Sequence, residues 1–69
     1  MELNRDTIMV RMAELQIGRR QLAERAGLSY ETCCRKLATG EADPVTVGKL
    51  AQALDIEVGR IAKAKEVPR

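Results

Sequence analysis

Arg19 and Arg20 stand just before the stretch Gln21-Leu22-Ala23-Glu24-Arg25-Ala26-Gly27-Leu28-Ser29, and Tyr30, Glu31, Thr32, Arg35 and Lys36 stand just after it. Side chains of these types at this spacing suit recognition of a charged polymer. An arginine fork matches a phosphate or the O6/N7 edge of guanine. Bond-breaking chemistry lacks its parts. The chain has no His, Ser29 is its only serine, and no acidic pair marks a cleft. General acid–base and nucleophilic machinery is therefore missing, and the residues do not read as those of an enzyme.

The net charge of +2 says little, but its distribution says more. From Arg11 to Lys36 six bases (Arg11, Arg19, Arg20, Arg25, Arg35, Lys36) face three acids (Glu14, Glu24, Glu31), a net of +3. From Leu37 to Ile56 three acids (Glu41, Asp43, Asp55) face one base, Lys49, a net of −2. Positive charge thus gathers where a phosphate-facing surface needs it, although a solvated face of ordinary charge has the same composition.

Two helices must hold those side chains. The spacing predicts one over about Arg19–Ala26, with Leu22, Ala23 and Ala26 inward, closed by Gly27 in the left-handed conformation. Leu28 plugs the corner. Ser29 caps the next helix, its hydroxyl accepting the amide proton of Glu31 or Thr32. That third helix, about Tyr30–Ala38, offers only Cys33 and Leu37 to a core. A short turn between two steeply angled helices leaves the second free to project, the usual device for reading the DNA major groove.

The remaining elements supply the support. Asn4 or Asp6 caps a first helix starting near Thr7, with Ile8, Met12 and Leu15 as its stripe and Met9 widening it. Gly18 ends the region after that helix and opens the next. Thr39-Gly40-Glu41-Ala42 is a loop. Asp43 caps, and Pro44 begins, a fourth helix with Val47, Leu50, Ala51 and Leu54 on one face. Asp55-Ile56-Glu57 turns the chain into a short fifth helix, about Val58–Ala62, with Val58 and Ile61 toward the core. The expected fold class is all-α: a compact five-helix domain over 1–62 and a charged, fraying tail over 63–69.

With 69 residues, no Phe or Trp and Tyr30 as the only aromatic residue, the core is aliphatic. A chain this short buries only about 60% of its unfolded surface, so dimerisation would help it. Cys33 and Cys34 are adjacent, a spacing that strains a disulfide. With no His and no further Cys, a zinc site from this chain alone is implausible, and no cofactor is expected. Two thiols without a disulfide framework, no secretory signal and no membrane-spanning run together read as a soluble cytoplasmic protein.

Gln21-Leu22-Ala23, Gly27-Leu28-Ser29, Gly40 and Lys49-Leu50-Ala51-Gln52-Ala53-Leu54-Asp55-Ile56 together resemble the Cro/CI-type, or XRE-like, helix-turn-helix family of phage repressors and bacterial regulators. The likeness covers roughly Ile8 to Ala62. It implies a lambda-repressor-like bundle of about five helices, with helices two and three forming the motif. By size the chain looks more like Cro than like a two-domain repressor. Gly18 and Arg19 depart from the Ser or Thr and then Gln that often open helix two. Arg11 stands where leucine is common, and Cys33 where a larger aliphatic residue is.

The resemblance implies a transcription regulator that binds double-stranded DNA as a homodimer on an inverted repeat, its dimer surface near helix five and the tail. Tyr30, Glu31, Thr32 and Arg35 are then the candidates for base readout. Arg19, Arg20, Ser29, Lys36 and Thr39 are the candidates for phosphate, with Gly40 a further donor. Glu31 can accept from cytosine N4 or orient Arg35 through an i,i+4 ion pair. Tyr30 can pack on a thymine methyl, bond a phosphate or cover the core edge. No small-molecule ligand is evident. The rival readings are an antitoxin or other partner-binding regulator on the same fold, and a protein-interaction module that has lost DNA. Cys34 is either an incidental thiol or a redox sensor.

Overall fold

The side chain of Asn4 accepts the amide proton of Thr7 at 3.2 Å and so fixes where the first helix starts. In this computed structural model, which describes residues 1–64, α1 spans Arg5–Leu15. It opens two residues before the expected Thr7, with Asn4 as cap and Asp6 in the first turn, where a carboxylate suits the helix dipole. Then follow α2 (Arg19–Ala26), α3 (Tyr30–Thr39), α4 (Pro44–Leu54) and α5 (Val58–Ile61). Among the described residues five helices are therefore present, and α5 stops before Ala62 because that residue is extended.

Two short strands were not expected. β1 (Glu2–Leu3) and β2 (Ala62–Lys63) pair antiparallel, Glu2 opposite Lys63 and Leu3 opposite Ala62. The other side of β1 meets the chain after α3. The amide of Leu3 donates to the carbonyl of Gly40 at 2.8 Å, and that of Ala42 to the carbonyl of Met1 at 3.0 Å. β1 thus lies between the α3–α4 loop and the chain leaving α5. Lys63, expected to fray, is paired instead; residues 65–69 of the expected tail lie outside the described residues.

The core is aliphatic, as composition requires. Ile8, Leu22, Cys33, Val47, Leu50, Leu54 and Ile61 are fully buried. α2 packs on α3 and α4, while α1 packs on α4 and α5, so α4 is the central pillar. Two core expectations fail. Met9 and Val58 are exposed, and Leu15 and Leu37 sit half-buried at the core edge.

Three helices end in the same way. Gln16, Gly27 and Asp55 take left-handed φ values of 56°, 71° and 51°. The next residue of each, Ile17, Leu28 and Ile56, donates its amide back to Met12, Ala23 and Ala51 at 3.0, 2.8 and 3.1 Å. These are Schellman closures, and each folds an apolar residue onto the core. Only Gly27 was legible, because only glycine advertises the conformation. Asp43 caps α4: the Thr46 hydroxyl donates to it at 2.6 Å and the Thr46 amide at 3.4 Å. Among the described residues no helix is long and apolar enough to cross a membrane.

Candidate nucleic-acid interface

α3 is held by one edge. Cys33 is fully buried and Leu37 half-buried. At about 100° per residue, Arg35 lies about 180° around the helix from the midpoint of that edge. Arg35, Glu31 and Tyr30 are exposed and Thr32 is half-buried. The four expected base readers therefore share the first two turns of α3, with Arg35 at the outward apex.

The start of that helix is built by its cap. Ser29 accepts the Thr32 amide proton at 3.2 Å and donates its own hydroxyl proton to Thr32 Oγ1 at 2.7 Å. Both hydroxyls are thus engaged locally. Thr39 is engaged likewise: its hydroxyl reaches the carbonyls of Lys36 and Glu41 at 3.3 and 3.4 Å. The Glu31–Arg35 ion pair, one of two roles considered for Glu31, is not formed. The described ion pairs join Arg11 to Glu14 and Lys63 to Glu2.

α2 brings its first turn beside that of α3. The Arg20 guanidinium lies over the Tyr30 ring, 4.8 Å from its centroid. Cys33 Sγ approaches the Arg19 carbonyl at 4.0 Å. Arg20, exposed like Arg19, therefore stands against Tyr30, and Tyr30 covers an arginine rather than the core. Gly18 opens α2 with its amide on Gln21 Oε1 at 3.0 Å, so Gln21 completes the cap that Gly18 lacks a side chain to make.

The other flank of α3 has a different character. The Asp43 carboxyl is held below the usual carboxylate range, chiefly by the Thr46 hydroxyl, with a smaller contribution from the Lys36 charge. Lys36 itself is half-buried. Burial pushes the Cys33 thiol up, and the neighbouring Cys34 adds to this against the pull of Arg19. Both cysteines are free, and a buried protonated thiol is inert.

Comparison with protein-family models, with curated proteins and with solved structures returned no match for this chain. The geometry stands by itself. It sets Arg20 over Tyr30 at the adjoining starts of α2 and α3, leaves Arg19, Glu31 and Arg35 exposed and Thr32 half-buried, and has Ser29 as the cap of α3. Thr39 is tied to the following loop through Glu41.

Two residues change standing. Arg11, one of the cations of the basic segment, is drawn inward: Nε donates to the Leu54 carbonyl at 2.8 Å and Nη2 to the Asp55 carbonyl at 3.3 Å. Arg5 reaches from α1 to the Ala38 carbonyl near the end of α3 at 3.5 Å. No local pattern marks either contact, because each joins residues more than thirty positions apart.

Proposed function

We propose that the chain is a sequence-specific DNA-binding regulator of the Cro/CI-type helix-turn-helix kind, reading the major groove with α3. The observation that carries this reading is the outward face of α3. A helix whose one fully buried side chain is Cys33, with Leu37 half-buried beside it, presents Arg35 at its apex, and Arg19 and Arg20 lie at the adjoining end of α2. A helix with so narrow an apolar edge is free to enter a groove.

Roles follow from position. Arg19 and the free amides at the start of α2 form an anion site for phosphate. Arg20, held by Tyr30, is a second phosphate contact, and Lys36 a third at the opposite flank. Arg35 pairs with guanine, and Glu31, free of Arg35, accepts from cytosine N4. Ser29 and Thr39 act mainly by shaping the two ends of α3. One domain reads few base pairs, so two copies on half-sites about 34 Å apart supply useful affinity.

Selection of bound sequences from a random duplex pool tests the reading. Enrichment of an inverted repeat is the expected result. A pool that stays random through repeated rounds overturns it.

A further inference from the structure

Beside the α3 face a cleft of about 550 Å³ opens between α1, the start of α2 and the second half of α3. Its wall includes Met9 and Val10, adjacent on α1 and 59% and 60% exposed, and the half-buried Leu37. Two large apolar side chains facing water beside a concave surface are favourable to cover. Its rim carries two cations, Arg5 and Arg19, against one acid, Asp6. Neither arginine has an ion-pair partner among the described residues, and Arg5 reaches across to Ala38 at one end. Small-ligand sites span roughly 300–1,000 Å³, apolar with a few placed charges, and this cleft meets both conditions.

We propose that the cleft binds a soluble amphiphilic anion, an aliphatic body bearing one carboxylate, and that its binding releases DNA. The apolar body lies against Met9, Val10 and Leu37, and the carboxylate meets Arg5 and Arg19. Release follows because Arg19 cannot serve the carboxylate and a DNA phosphate together. The second clause rests on the DNA-binding reading above; the first does not.

The test titrates the full chain with decanoate below its micelle concentration, following amide chemical shifts, with decanol as the uncharged control. The expected result is saturable shifts confined to the cleft, with decanol at least tenfold weaker. Met9→Glu, at an exposed site outside the DNA-contacting set, abolishes decanoate binding while the helical circular dichroism is kept. Arg5→Gln weakens it severalfold. With decanoate at about nine times its Kd, the Kd for DNA rises about tenfold by mass action. Equal binding of decanol, shifts spread over the whole chain, or an unaltered Met9→Glu titration overturns the site. So does an acid-flanked amphipathic peptide that binds the cleft where decanoate does not. Site-specific decanoate binding with unchanged DNA affinity overturns the release. A chain that binds decanoate in the cleft and binds no DNA overturns the DNA reading and leaves the ligand site standing.

Discussion

Arg11 Nε donates to the carbonyl of Leu54 across 2.8 Å, so a cation of α1 closes the C-terminus of α4. The same guanidinium reaches the Asp55 carbonyl at 3.3 Å. Carbonyls at a helix end lack partners within the helix and carry its negative pole, which a cation offsets. The contact also ties the central pillar to α1 and withdraws one positive charge from the surface proposed to face phosphate.

Arg11→Met therefore costs stability, about 1.5–3 kcal/mol for hydrogen bonds made by a charged group. Urea unfolding measures it. The salt slope of DNA binding stays at the wild-type value, and a fall of one unit would return Arg11 to the DNA surface.

Arg35→Ala and Arg19→Ala are expected to differ in kind. Loss of Arg35 costs about 1–3 kcal/mol and blurs preference at one or two base positions. Loss of Arg19 weakens operator and random DNA alike and lowers the salt slope by about one unit. Titrations on both DNAs at several salt concentrations separate the two roles; equal loss on both DNAs for Arg35→Ala rules out readout.

Tyr30 holds Arg20 by the face of its ring. An exposed cation–π contact contributes about 0.5–1 kcal/mol, so Tyr30→Ala weakens all DNA roughly two- to fivefold. Tyr30→Phe keeps the ring and the affinity. If Phe loses as much as Ala, the phenolic hydroxyl acts instead.

Asp43 makes stability depend on pH. Its folded pKa lies below the ordinary carboxylate value because the Thr46 hydroxyl bonds the ionised form. The contribution is therefore present above the ordinary carboxylate range and is lost as pH falls through the folded value. Asp43→Asn keeps an acceptor and removes the titration. Its urea midpoint should fall less steeply with acidification than that of the wild type.

Gln16 sits at φ 56°, where a side chain costs roughly 1–2 kcal/mol. Glycine removes that strain at an entropic cost of roughly 0.5–1 kcal/mol. Gln16→Gly is expected to stabilise the chain by about 0.5–1 kcal/mol in thermal unfolding, with the DNA-facing surface unchanged.

The helices, and the starts of all but the first, were legible in the sequence because their signals are local. Ser29 caps within three residues, Asp43 does the same before Pro44, and Val47, Leu50, Ala51 and Leu54 mark one face by spacing alone. Gly27 announced a left-handed closure by its type. The candidate surface was legible to the same extent: Tyr30, Glu31 and Arg35 are exposed because Cys33 and Leu37 leave α3 only one edge to bury.

Distance in sequence hid the rest. Gln16 and Asp55 adopt glycine's conformation without being glycine, since Ile17 and Ile56 gain burial by it. Two-residue strands carry no periodicity, so Glu2–Leu3 and Ala62–Lys63 find each other only once α1 and α5 have packed. The sequence by itself determined which segments are helical and which face of α3 is turned outward, through capping and hydrophobic period acting over a few residues. Only the tertiary structure decided which cations remain on that surface. Arg11 is claimed by the end of α4 and Arg20 is stacked on Tyr30, and those contacts depend on how separate helices meet in space.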